Sequence, residues 1–278
     1  MQSMLRTIVL DDGATTTLER WGDTGPVMLC VHGMTSSRKA WQRLAERFAD
    51  RYQVMAYDQR GHGDSVAIPG PMTLERGVQD LRDVAAVAGP DVLVGHSWGG
   101  AVVVRGGLML GASAVVAIDP MIVQVADDWY AEFIDELEET FTYQGDARDE
   151  RIRVDYSDWH PSDVDGKVHA VHSMTTAPIA GLRDQNQTGW DLRGDIATYP
   201  KPLLMIMAGR DGSIVPVPVM DEITTHHAPD VQIVTLADQG HNLHRTDFNR
   251  FAKTVDEFLG EQERRPDRGN EGRHAGVP

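Results

Sequence analysis

Eight short apolar runs punctuate the chain: "LRTIVL", "TTLERW", "VMLCV", "QVMAY", "DVLVG", "AVVAID", "PLLMIMAG" and "VQIVTL". Several lack polar alternation, the pattern of strands covered on both faces by other elements. Between them the apolar residues change to helical spacing. "SRKAWQRLAERFAD" carries Trp41, Leu44, Ala45 and Phe48 on one face, and "TLERGVQDLRDVAAVAG" and "DFNRFAKTVDEFLG" read as helices, the last closed by a glycine. Two early strands followed by strand and helix in alternation predict an α/β fold with a mostly parallel sheet and right-handed crossovers.

The alternation stops after "IDPMI". From residue 123 to 195 the chain is polar, aromatic and helical in texture, and strand character returns only at "KPLLMIMAG". Within this stretch "ADDWYAEFIDELEETFT" sets Trp129, Tyr130, Phe133, Ile134, Leu137 and Phe141 on one helical face and carboxylates on the other. The pattern predicts a helical lid, residues 123–195, inserted between core segments 1–122 and 196–260. Residues 127 to 150 hold ten acids and one base, read as a solvated outer face. The final 261–278 has almost no apolar content and reads as a disordered tail.

A chain of 278 residues with 41% hydrophobic and 24% charged positions can bury one sizeable core plus an insertion. The formal net charge of −16 argues against nucleic acid and against an anionic membrane surface. A neutral or cationic small molecule is the easier partner. The N-terminal apolar run is too short for a secretory signal, and no run approaches the ~18 apolar residues of a membrane span, so the expectation is a cytoplasmic protein, monomer or homodimer. Cys30 is the sole cysteine, which excludes an intrachain disulfide and a thiolate metal cluster; inside "VMLCVHG" it reads as a buried strand residue.

The chemistry centres on "VLVGHSWGGAVVV". A strand, a sharp turn and a helix lift Ser97 to the top of the sheet at a helix N-terminus, with Gly95 and Gly99 leaving room for the turn. A serine hydroxyl needs a base held in one tautomer by a carboxylate. "ADQGHNLHR" supplies His241 after the last strand, and "AGRDGSIVP" supplies Asp211 after the strand before it. Asp119, at the end of "AVVAID", is the rival acid, since it too lies between Ser97 and His241 in the chain. Asp211 is preferred because it follows the strand immediately preceding the histidine's strand, in a loop rich in turn residues. The two oxyanion donors are expected from the backbone N–H groups of Trp98, after the nucleophile, and Met34, in the "CVHGMTSS" loop where Gly33 permits close approach.

These motifs resemble those of the α/β-hydrolase fold superfamily: "VHGM" its oxyanion loop, "YDQRGHGDS" its turn after the fourth strand, "GHSWGG" its nucleophile elbow, "GRDGSIVP" its acid loop and "GHNLH" its histidine loop, over residues 5 to 260. The resemblance implies an eight-stranded core, a helical cap after the sixth strand and hydrolysis without a cofactor. It does not fix the substrate. Members similar to haloalkane dehalogenases and epoxide hydrolases carry Asp at the elbow, where this chain has Ser97. Trp98 is shared with prolyl aminopeptidases, but His96 departs from their pattern, and C–C bond hydrolases often carry Asn there. The expected reaction is cleavage of a carboxylic ester or lactone of a small, uncharged, partly apolar molecule; a ligand-sensing role on the same fold, and cofactor-free perhydrolase, C–C bond hydrolase or aminopeptidase chemistry with the same triad, are the alternatives.

Trp41, Met121, Val215 and Leu243 lie beside the motifs and are candidate pocket walls with Met34 and Trp98; Trp129, Phe133 and Trp159 would come from the lid. His96 is expected to be structural, His244 to lie near the rim, and His169 and His172 to be solvated or packing residues. His226 and His227 lack a matching carboxylate spacing, so no metal site is expected. Asp58 and Arg60 are expected to knit the turn after the fourth strand, and Arg38 and Lys39 to form a surface pair.

Overall fold

The computed structural model describes residues 2–65, 70–124, 140–172, 174–186 and 188–264. Its main sheet has eight strands: β1 (Ser3–Val9), β2 (Thr15–Trp21), β3 (Val27–Val31), β4 (Gln53–Tyr57), β5 (Val92–His96), β6 (Ala114–Ile118), and, after a two-stranded ribbon of β7 (Val123–Gln124) and β8 (Trp190–Asp191), β9 (Leu203–Ala208) and β10 (Val231–Leu236). All eight apolar runs are strands of this sheet, in the order β1-β2-β4-β3-β5-β6-β9-β10. β2 is antiparallel to β1 and β4; the remaining pairs are parallel.

Every residue of β3, β5, β6 and β9 is buried, because helices cover both faces. The period of two divides each strand between two cores. In β3, Leu29 and Val31 join the layer under α2 (Leu74–Ala88) and α3 (Trp98–Gly107), while Met28 and Cys30 join the layer holding Leu44 and Phe48 of α1 (Gln42–Phe48). That second layer also takes Phe251, Val255 and Phe258 of the C-terminal helix, Phe248–Arg264. The helix runs to Arg264, past the expected start of the tail at 261; residues 265–278 lie outside the described residues.

Between β6 and β9 the chain makes a helical excursion. Its ends are tied by β7 and β8, which pair antiparallel with Val123 opposite Asp191, and by the Leu192 N–H donating to the Ile122 carbonyl at 2.9 Å. Between these ties run the helices Asp146–Asp155, Pro161–Val171 and Ala177–Asp184. They lie over the loops that follow β3 and β4. The Ser37 hydroxyl donates to the Gly166 carbonyl at 3.4 Å, Asn186 donates to the Met72 carbonyl at 2.8 Å, and Pro178 sits against Gly61. The amphipathic stretch with Trp129, Tyr130, Phe133, Ile134 and Leu137 lies outside the described residues. Among the described residues no helix is long and apolar enough to cross a membrane.

Candidate active site

Ser97 follows β5 directly, and its backbone sits at φ 55°, ψ −120°, left-handed torsions that a non-glycine residue adopts only where its surroundings impose them. The glycines around it are required by contact. A Cβ on Gly95 would lie 2.3 Å from the Gly99 carbonyl oxygen, and one on Gly99 would lie 2.3 Å from that of Val31. The turn is held by the Ser97 N–H donating to the Ile118 carbonyl at 2.9 Å, and by its own carbonyl accepting from Ala101 and Met121, both at 3.1 Å. α3 begins at the next residue, so the hydroxyl stands at the positive end of a helix.

The loop after β3 faces this elbow. A Cβ on Gly33 would lie 2.9 Å from that of Ser97, so only glycine allows the approach. His32 anchors the loop from below: Nδ1–H donates to the Gly33 carbonyl at 2.8 Å, and Nε2 accepts from the Gln59 N–H at 2.9 Å. Burial pushes its imidazole down to about 4, which keeps it neutral, as this bonding pattern requires. Thr35 has φ 53°, so the chain reverses just after Met34. The N–H groups of Met34 and Trp98 donate to no acceptor among the described residues.

Asp119 follows β6 as directly as Ser97 follows β5, and the two are in register, because His96 pairs with Ile118 across the parallel ladder. Its carboxylate is fully buried and accepts four bonds. Oδ1 takes the Ala208 N–H at 3.0 Å and the Ser213 hydroxyl at 2.6 Å; Oδ2 takes the Ile214 N–H at 3.0 Å and Nδ1–H of His241 at 2.6 Å. The partner of His241 is therefore Asp119, and the preference for Asp211 is corrected. Asp211 is exposed, three residues beyond the end of β9, in a turn closed by the Gly212 N–H on the Gly209 carbonyl at 2.9 Å. That turn carries its side chain off the sheet edge. The "RDGSIVP" loop still reaches this carboxylate, since Ser213 and Ile214 hydrogen-bond to Asp119.

His96 wedges the two halves together. Its Nε2–H donates to the His241 carbonyl at 3.0 Å, and its ring lies 4.6 Å from that of His241 and 4.2 Å from that of His244. Burial, reinforced by the neighbouring His244 and His241, holds it well below the usual imidazole range, so it packs as a neutral ring. His244 is also buried, against Trp41 and Phe251, rather than at a rim. His169 and His172 hydrogen-bond to Asp64 and Asp149, at 3.2 Å and 2.8 Å.

Among the proposed pocket walls, Trp41 and Leu243 are packed in one core layer, and Met121 and Val215 in the other, with Met34 and Trp98. Trp159 stands apart: its ring lies 4.2 Å from Tyr156, and the Arg245 guanidinium lies 4.5 Å over it. Trp129 and Phe133 are outside the described residues. Arg38 is not a surface residue. It is buried and ion-paired to Glu19, Asp58 and Asp64, while Arg60 pairs with Asp80 and Asp12.

Two basic residues that sequence reasoning passed over border the loop after β3. Lys167 is buried, and its ammonium donates to the Thr35 hydroxyl at 2.6 Å and carbonyl at 2.9 Å. Arg245, four residues after His241 in the short helix Leu243–Thr246, is buried and donates to the Ser36 hydroxyl at 2.9 Å. Burial, with Arg245 adding, pushes the Lys167 amine down to about 7. Spacing alone gives no sign of either, because they reach the loop from separate elements. Among the described residues no cluster of three His, Cys, Asp or Glu side chains is arranged to hold a metal ion.

The alpha/beta hydrolase family model matches residues 28–254, spanning all five motifs. The chain belongs to this family. It is 25% identical over 257 residues to N-formylmaleamate deformylase of Pseudomonas putida, covering 86% of this chain and 91% of that protein. It is 28% identical over 242 residues to pimeloyl-[acyl-carrier protein] methyl ester esterase of Stenotrophomonas maltophilia, covering 78% and 86%. Among solved structures, E-2-(acetamidomethylene)succinate hydrolase superposes with a TM-score of 0.75 at 21% identity, covering 93% of this chain and all of that one. The enol-lactonase of Burkholderia xenovorans LB400 superposes at 0.72 with 18% identity, covering 92% and 100%. The structural matches share the hydrolase fold, and the family match makes hydrolysis the activity class of the chain.

Proposed function

We propose that this hydrolase works by acyl transfer through Ser97 to water, on a carboxylic ester, a lactone or a related acyl compound. His241 takes the Ser97 proton as the hydroxyl attacks the carbonyl, Asp119 holds Nδ1–H and stabilises the imidazolium, and the Met34 and Trp98 N–H groups receive the oxyanion. The same histidine then activates water against the acyl-enzyme. The observation that carries this reading is the 2.6 Å bond from His241 to a buried, fully bonded carboxylate in register with a strained serine. The names of its relatives, a deformylase and a methyl ester esterase among them, support acyl transfer as the reaction class. The helical excursion from 123 to 191 acts as the cap.

The test is labelling by a small fluorophosphonate, read by intact and peptide mass. A single adduct on Ser97, absent in Ser97→Ala and in His241→Ala, is expected. An adduct elsewhere, or undiminished labelling in folded His241→Ala, would overturn the assignment.

A further inference from the structure

We infer that the site is built for an anionic substrate, one whose carboxylate, close to the scissile carbonyl, is held by Lys167 and Arg245. The inference rests on the serine-hydrolase reading above and departs from the neutral or cationic partner that the chain's net charge suggested. A guanidinium and an amine are buried beside one loop, and among the described residues neither has a carboxylate within ion-pair distance. Asp163 acts on Arg245 only at longer range, because it is paired with Arg43 at 2.8 Å. Burying an unpaired cation is costly, and a second one beside it adds to that cost, which a lysine can relieve by giving up its proton. An arginine cannot relieve that cost by losing its proton.

The donors are also under-used. Arg245 spends one N–H on Ser36, and its buried Nε has no partner. Lys167 gives two bonds to Thr35 and keeps a third donor. Both are fixed in place, Arg245 by its stacking on Trp159 and Lys167 by a helix packed on residues 38–41. Thr35 and Ser36, which they grip, follow Met34 in the chain, and Arg245 lies four residues after His241. A substrate whose carbonyl oxygen meets the Met34 N–H therefore finds these donors along the same loop. A planar guanidinium and an ammonium together suit a carboxylate, which accepts from both.

Two matched pairs test this: monomethyl succinate against methyl succinamate, with the charge on the acyl side, and O-acetylglycolate against O-acetylglycolamide, with it on the alcohol side. In at least one pair the acid should be hydrolysed with a kcat/KM about tenfold or more above its amide. Arg245→Met and Lys167→Met, each checked by its melting curve, should lower that ratio toward one, chiefly through KM. Amides cleaved as fast as the acids in both pairs would overturn the inference while leaving the hydrolase reading intact; failure of the fluorophosphonate label would instead overturn that reading. Should neither pair be cleaved, or a variant not fold, titration of Ser97→Ala decides. Thermal stabilisation by succinate but not by succinamide supports the site, and no shift with either refutes it.

Discussion

Asp119→Asn changes one oxygen for an NH2 group in a place where every lone pair is in use. If the amide nitrogen occupies the Oδ2 position, the Ile214 N–H meets another donor, and His241 must present a bare Nδ1 to accept from the amide. The proton then sits on Nε2, and the ring can no longer take one from Ser97. If it occupies Oδ1, Ser213 can rotate to accept, but the Ala208 N–H is orphaned and the negative charge is still gone. Either way one buried donor is left unmade, about 1–3 kcal/mol, or several degrees in Tm at about 2–4 °C per kcal/mol. The wrong tautomer costs about 10⁴ in kcat in a serine triad.

The assay is the rate of fluorophosphonate labelling of Ser97 in wild type, Asp119→Asn and Asp211→Asn, with a melting curve for each. Asp119→Asn should label orders of magnitude more slowly while still melting cooperatively. Asp211→Asn changes an exposed turn residue and should stay within about 0.5 kcal/mol in stability, as surface substitutions do, with its labelling rate unchanged. The reasoning is refuted if Asp211→Asn loses as much rate as Asp119→Asn, or if Asp119→Asn labels within about tenfold of wild type.

Two further outcomes follow from buried groups. Burial pushes His32 down to about 4 and His62 to about 3, so on acidification the unfolded chain binds protons before the fold does; the stability these rings contribute is complete above the usual imidazole value of 6.5 and is lost as pH falls from there through those folded-state values. Each should cost on the order of 2 kcal/mol by pH 5, read as a lower urea midpoint at pH 5 than at pH 7.5; equal midpoints would contradict it. Arg38→Met leaves Asp58, which has no exposed surface, without its counter-charge, and should cost about 3–5 kcal/mol; a melting temperature within a degree of wild type would show that the ion pair contributes nothing.

The sheet was legible because its physics is local. A strand covered on both faces needs an unbroken apolar run, and a nucleophile elbow needs glycine wherever a Cβ would strike a carbonyl, so β5, Gly95 and Gly99 announce themselves in one dimension. The acid is different, since chain order is the same for Asp119 and Asp211. What separates them is distance past the strand end. Ser97 and Asp119 each stand one residue beyond a paired strand terminus, His96 and Ile118, whereas Asp211 is three residues beyond Ala208, after the turn has begun. Counting from the strand end, rather than along the chain, would have favoured Asp119. The cations were hidden for a related reason. A net charge of −16 sums over a whole surface and says nothing of a point where two cations, one from the excursion and one from the histidine loop, converge on residues 35 and 36. The field at a site is set by the few groups buried with it, because the many exposed carboxylates are screened by water and salt within about 10 Å. An acidic protein can therefore present a cationic site, and the charge of the substrate is to be read from the site.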